Sequence, residues 1–483
     1  MKTTKPRREQ ILEKIRQGIH ISPAEQFRLA ALLSIPSMLA QISAILMEYI
    51  DAGMVGSLGA AASASIGIVS TTIWLFAGLC SAFSKGFYVQ VAHRIGANKM
   101  AEARQVFRQG LTTCLAFSLL LALIGAAVSS RLPIWLGGDE SIHRDASRYF
   151  LVFSLCMPLM QINSLCSGML RCSGDTRTPS TINILMCILD VFFNWLLIFP
   201  SHHILGLDIP GAGLGVLGAV LGTAISFLIG CLMMLYCACI RSPHLNLLQD
   251  LTTADTLRQR LLRYRPTADT LHQAFHISLP MGVEHFIMCS AQITSTLIIA
   301  PLGTVALAAN SFGITIEALC YMPGYGISDA ATALVGQSLG ASRTRLARSF
   351  GRITLTMGIL VMSLMGLVMY IFSPQLMQLM TPDTAVQDLA VSCLRIEAFA
   401  EPMFAANIVA YGIFVGAGDT LVPCSINLGS IWAVRIPLAA LLVGTLGLQG
   451  AWIAMATDLS IRGIIFLVRF RSKKELGKGK IKR

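Results

Sequence analysis

Charge is scarce in this sequence. Only 13% of its 483 residues are Asp, Glu, Lys or Arg, where a soluble chain carries about 25%. Mean hydropathy is +0.67 and aromatics make up 7%. Catalytic signatures are missing too: the chain has no Walker A loop, no H-E-x-x-H and no G-x-S-x-G, which speaks against an ATP-driven pump or a membrane-embedded hydrolase. The 13 cysteines form no C-x-x-C pair and a single C-x-C at 237–239, so neither a disulfide framework nor a zinc site is expected. No cleavable leader is expected either, because residues 1–28 are polar and basic, with Ile11, Ile15 and Ile19 on one helical face. That face suits a helix lying on the membrane surface. "GLGVLG" (213–218) matches a dinucleotide fingerprint, but it opens an apolar run and signals close helix packing instead. "HQAFH" (272–276) lacks a third ligand and reads as a solvated helix start.

What the chain has in abundance is apolar runs of about 20 residues, the length that crosses a bilayer as helix. Twelve spans are predicted, at 29–52, 60–92, 107–129, 149–170, 179–200, 212–240, 272–300, 304–338, 349–373, 389–415, 421–443 and 448–470. The fold class is therefore an all-α polytopic membrane protein. Net charge of +12 follows topology. Thirty of the 37 Lys and Arg fall in the two tails and alternate loops, and only Arg131, Arg144 and Arg148 fall on the other side. The positive-inside rule then puts both termini in the cytoplasm of a multi-pass inner-membrane protein of a bacterial cell, and it removes nucleic acid as a partner.

A shift of 244 residues aligns the two halves without a gap over more than 140 positions. Pro36 meets Pro280, "LG" at 58–59 meets 302–303, "GA" at 96–97 meets 340–341, and "GDT" at 174–176 meets 418–420. Beyond Asn183 and Asn427, "GVLGA" (215–219) matches "GLQGA" (447–451) at offset 232, so the first half carries 12 additional residues between spans five and six. Six spans per repeat make the repeats parallel. Two six-helix bundles around a central cavity are expected: an N-lobe at 29–240 and a C-lobe at 272–470. Cytoplasmic segments at 1–28, 241–271 and 471–483 flank and join them.

Several strings complete the pattern: "EYIDAGMVGSLG" (48–59), "GDTRTP" and "GDTLVP" after spans four and ten, and "IEALCYMPGYGISDAATALVGQSLGA" (316–341) in span eight. Together with twelve spans and the repeat, they resemble the multidrug and toxic compound extrusion (MATE) family, more its DinF-like branch than its NorM-like one. The resemblance covers about residues 29–470. It implies rocking-bundle antiport: sodium or protons enter as lipophilic, often cationic drugs or metabolites leave, with no cofactor beyond the coupling ion. The expected molecule is a monomer whose other partners are membrane lipids. A flippase for a lipid-linked saccharide is the alternative, with a channel third.

A carboxylate at mid-bilayer costs roughly 2.5–3.5 kcal/mol on insertion scales, so each one asks for a reason. They are unequally shared: Glu48 aligns with Gln292, Asp51 with Ser295, Asp190 with Val434, and Lys85 with Asp329. Asp51 occupies the position that the resemblance assigns to an acid in span one. Asp190 and Asn194 share a helix face by their i, i+4 spacing, and the resemblance adds Thr223. These oxygens suit sodium, or the carboxylates hold a proton. The family's usual span-five order, Asn then Asp, is reversed here. Glu48 and Lys85 complete the first-half candidates, with Lys85 either a counter-ion or snorkelling to the cytoplasmic face. In the second half Glu317, Asp329, Arg435 and Glu284 form a possible polar site, with Arg435 expected to pair with Glu317 or Asp329 and Glu284 expected at the interface. Arg395, Glu397 and Glu401 are expected to ion-pair near the outer surface. Pro158, Pro323, Pro402 and Pro437 are expected to kink their helices.

The charge asymmetry makes a first prediction. Single cysteines placed in the tails or in 241–271 should react with a membrane-impermeant maleimide only from the cytoplasmic side; labelling of the linker from outside breaks the twelve-span topology.

Overall fold

The computed structural model describes residues 7–204, 207–247, 249 and 263–472. Most of the linker (248 and 250–262) and nearly all of the basic C-terminal tail lie outside the described residues. Among the described residues ten helices are long and apolar enough to cross a membrane, and two bent helix pairs bring the count to twelve if each pair is one span. The spans are Pro23–Gly56, Ala60–Gly96, Met100–Val128, Glu140–Leu155 with Met157–Ser173, Arg177–Ile198, Val216–Arg241, Ala268–Leu302, Thr304–Gly340, Thr344–Met380, Thr384–Ala398 with Glu401–Gly416, Leu421–Leu446 and Leu448–Arg471. Every predicted span falls on one of these, and several helices run well past the expected ends.

The two bent spans are repeat mates. Span four bends by 43° and span ten by 59°, and Pro158 and Pro402, one offset apart, each open the helix after the break. Proline lacks the N–H that an interior turn needs, so the chain restarts there. Pro437 likewise follows a π-helical turn at Ile431–Arg435. Pro323 behaves otherwise and sits inside the unbroken helix Thr304–Gly340. The backbone repeats in detail. Gly59 and Gly303, Gly174 and Gly418, and Gly215 and Gly447 all take positive φ, as do Asn98 and Ser342, which glycine and asparagine tolerate best.

The chain forms two compact units, one of 43–95 with 99–278, the other of 1–42, 96–98 and 279–483. Span one therefore contributes Pro23–Ile42 to the second unit and Ser43–Gly56 to the first. Span seven does the converse at Ser278. Glycines permit these seatings: a Cβ on Gly326 would meet the backbone of Met38, and one on Gly86 would meet Ala274 and Ser278.

Two features were not foreseen. A two-stranded antiparallel hairpin, Pro200–Ile204 with Leu207–Ala212, joins spans five and six. It occupies the 12-residue surplus of the first repeat, where the second repeat has only Gly447 between its helices. The amphipathic tail corrects the membrane-surface reading. Helix Arg7–Arg16 buries Ile11, Leu12 and Ile15 against Ile21, Leu29, Leu33, Leu334, Leu346 and Phe350, leaving Ile19 47% exposed. Its apolar face is covered by protein. Arg343 Nη1 donates to the carbonyls of Lys14 (3.2 Å) and Ile19 (2.8 Å), tying the tail to the loop before span nine.

Span six lies close against span five because it is small where they touch. A Cβ on Gly218 would run into the Leu197 carbonyl, and one on Gly222 would overlap Asn194. Gly222→Ala should therefore lower the stability of the detergent-purified protein by about 1–3 kcal/mol, the usual cost of overpacking, read as a lower melting temperature. An unchanged melting temperature would show that this seam relaxes freely.

Candidate functional site

In the first unit the site is built around an amide. Span five presents Asp190 and Asn194 on one buried face, 1% and 0% exposed. Asn194 Nδ2 donates to Asp51 Oδ1 of span one at 2.9 Å and to Asp190 Oδ2 at 3.1 Å. One NH2 thus bridges two carboxylates that would otherwise repel. Asp190 Oδ1 and Asn194 Oδ1 are buried and have no hydrogen-bond partner. Orphaned acceptors of this kind cost about 1–3 kcal/mol each. A cation or proton bound there relieves that cost. Thr223 of span six borders Asp190 while its hydroxyl donates to the Ala219 carbonyl at 3.1 Å. Carboxylate, amide and hydroxyl oxygens are the hard donors that sodium prefers.

Four of the six first-half candidates are brought together: Asp51, Asp190, Asn194 and Thr223. Glu48 lies one turn before Asp51 and is exposed. Lys85 is elsewhere. Val55 packs near Ala62 and Ile66, so Lys85 sits about 25 Å further along span two at 1.5 Å per residue. It is level with Ala274 and Ser278, which abut its neighbour Gly86, so the counter-ion role is ruled out by distance. Tyr149 was missed: it packs beside Val55, Ile198 and Ala219 and feels the charges of Asp51 and Asp190. An aromatic residue in an apolar span gives no sequence signal for such a role.

The second unit corrects several expectations. Arg435 pairs with neither Glu317 nor Asp329. Its Nε donates to Asp458 Oδ2 at 3.0 Å, and Arg462 Nη2 reaches the same oxygen at 2.7 Å. Ser430 Oγ donates to Asp458 Oδ1, and Asp458 is 0% exposed. Asp458 was overlooked because a lone acid in span twelve has no counterpart motif. Glu284 is not interfacial: it is buried and accepts from Tyr411 Oη and Asn427 Nδ2, each at 2.6 Å. Glu397 and Glu401 do not ion-pair at a surface. Both are fully buried at the bend of span ten with all four carboxyl oxygens unpartnered, near buried Glu317. Arg395 instead lies over the Tyr370 ring, 5.5 Å from its centroid. Asp329 is half-buried twelve residues beyond Glu317, about 18 Å along the helix. The offset pairs Glu317, Glu397 and Glu401 with Ile73, Phe153 and Met157, which belong to one apolar cluster in the first repeat.

A family model described as MatE matches residues 36–196 and again 280–441. The chain belongs to the MATE family. The two matches start 244 residues apart, the offset of the internal repeat. MATE proteins are transporters, not enzymes, and the fold is theirs. A "probable multidrug resistance protein NorM" of Thermotoga maritima is 25% identical over 92% of this chain and 91% of its own. One of Halalkalibacterium halodurans is 26% identical over 90% and 92%. A multidrug-resistance MATE transporter structure in an outward-facing conformation superposes with a TM-score of 0.84 at 20% identity, covering 98% of each chain. A MOP-superfamily transporter of Pyrococcus furiosus does so with 0.84 at 19%, also over 98% of each. The relatives quoted carry the NorM name and do not bear on the DinF-like branch.

The MatE matches end at 196 and 441, 245 apart, one more than at their start. The π-helical turn Ile431–Arg435 accounts for the surplus residue. Counted past it, Arg435 rather than Val434 stands opposite Asp190, and Ala439 opposite Asn194.

Removing Asp458 leaves two buried guanidiniums facing each other. Asp458→Ala should cost about 3–5 kcal/mol, as broken buried pairs do, and should collapse the monodisperse peak in size-exclusion chromatography at a temperature the parent survives. Asp190→Asn, which relieves repulsion, should leave that peak intact; equal losses in the two variants would contradict this division between fold and function.

Proposed function

We propose that this MATE protein is a secondary active exporter of lipophilic, cationic small molecules, driven by inward movement of sodium or protons. The observation that carries the reading is the pair of buried unpartnered oxygens, Asp190 Oδ1 and Asn194 Oδ1, beside two carboxylates held by one amide. Asp51, Asp190, Asn194 and Thr223 take the coupling cation, and cation binding and drug binding compete for one unit. The parallel repeat supports rocking of one six-helix half against the other. The names of the curated relatives support multidrug efflux. The strongly one-sided charge supports an inner-membrane location with cytoplasmic termini. The protein works as a monomer among lipids, and its "EYIDAGMVGSLG" segment places it in the DinF-like branch.

Proteoliposomes loaded with a fluorescent cationic dye, under imposed sodium or pH gradients, test the reading. Efflux should follow one gradient, identifying the ion. Asp51→Asn should insert normally and lose energised efflux by at least about tenfold, the size of a lost charged interaction. Full gradient-driven transport by that variant would sink the coupling role. Because the site needs one charge and one amide on a shared face, Asp190→Asn alone should stop transport. Adding Asn194→Asp should restore a substantial part of it, and a double variant as inactive as the single one argues for a purely structural contact.

A further inference from the structure

The second unit contains a small cavity of about 40 Å³, bounded by Gln292, Ser295, Asn310, Arg435, Ala439 and Met455 among others. Its position is not arbitrary. By the offsets of the repeat, Gln292 stands for Glu48, Ser295 for Asp51, Arg435 for Asp190, Ala439 for Asn194 and Met455 for Thr223. The cavity is therefore the second repeat's version of the first-half cation site, with each acid removed and a guanidinium set in the place of the buried one.

The guanidinium is held ready. Arg435 Nε is fixed on Asp458 at 3.0 Å, while its Nη1 and Nη2 donate to no protein atom among the described residues. Asn310 accepts from Trp452 Nε1 at 3.1 Å, which fixes the amide and leaves its NH2 as a donor at the cavity wall. Ser295 adds a hydroxyl. The charges around Arg435 are Asp458 and Arg462 of span twelve and Glu317 of span eight. Asp458 is shared between two guanidiniums, and Glu317 forms no ion pair with either. The free volume is little more than the roughly 30 Å³ share of one water, so it takes one small polar group and not a whole drug.

We infer that this cavity is an anion-accepting subsite that holds the carboxylate of a transported compound against the Nη atoms of Arg435. Guanidinium and carboxylate match in shape and charge. The inference rests on the efflux reading and extends it: the substrate class includes amphoteric molecules, with a cationic part and a carboxylate, beside purely cationic ones.

Rhodamine B and its ethyl ester differ only in a free carboxylate, and their binding to the purified full chain in phosphatidylcholine nanodiscs is read by fluorescence polarisation. The parent protein should bind the acid about tenfold tighter than the ester, and Arg435→Gln should erase the preference while moving the ester affinity by less than about twofold. Asp458 keeps Ser430 and Arg462 in that variant, so the fold has support. If it nevertheless fails to fold, Ser295→Asp, which restores the carboxylate of the first repeat, should by itself reverse the preference toward the ester. Equal affinities in the parent, or a preference that survives either folded variant, overturns the subsite. A preference abolished in phosphatidylglycerol nanodiscs alone would make an acidic lipid headgroup the occupant and overturn the substrate assignment. Binding and export of the ester without any preference for the acid defeats the subsite and leaves the efflux reading standing; failure of both dyes to bind or move defeats both.

Discussion

A buried charge must find an answer nearby, and in a chain this poor in charge that constraint shapes nearly everything polar. In the first unit the answer is an amide: Asn194 spends both of its N–H groups on Asp51 and Asp190, and so joins spans one and five through the interior. In the second unit it is a carboxylate, Asp458, that answers two arginines and a serine across spans eleven and twelve. The two solutions differ in consequence. The first leaves oxygen acceptors open and so keeps an appetite for a cation. The second is closed on the acid and leaves donor groups of Arg435 open. One fold, used twice, has produced a hungry anion and a hungry cation at related places.

Small residues make these sites possible. Span six meets span five through Gly218 and Gly222, the latter directly against Asn194, so no side chain intervenes between the amide and the helix that brings Thr223. Where large residues take over, the interior becomes a plain core, as around Ile73, Phe153 and Met157. The second repeat replaces those three by glutamates without changing the bend in the backbone beside them. Helix breaks set by Pro158 and Pro402 are thus a property of the scaffold, and the chemistry laid upon them is free to vary.

Much of this was legible in the sequence, for physical reasons. Spans are written in long apolar runs, the repeat in glycine and proline positions that fix backbone angles, and the Asp51, Asp190 and Asn194 grouping in helical spacing plus family likeness. What the sequence hid were partners distant along the chain. The spacing of Arg435 does not point to Asp458, and nothing in Glu397 or Glu401 separates a buried acid from one at a helix mouth. Lys85 was misplaced because hydropathy marks a span without saying how far it extends: the helix runs to Gly96, and Lys85 lies well away from the acids. The tail helix misled for a related reason, since an amphipathic face is the same whether lipid or protein covers it. The hairpin of Pro200–Ala212 stayed silent because its residues were read as the frayed ends of two spans.

The surplus residue in the π-helical turn of span eleven bears on how duplicated proteins diverge. A substitution changes the chemistry of one point on a helix. An inserted residue accommodated inside the turn swings everything after it by about 100°, so a whole new stripe of side chains comes to face the interior while both loops stay put. A duplicated half can therefore acquire a different inner surface in a single genetic event, with its length, its topology and its packing partners nearly untouched. Alignments that forbid gaps inside helices will pass over such events, and will keep pairing residues that no longer occupy the same place.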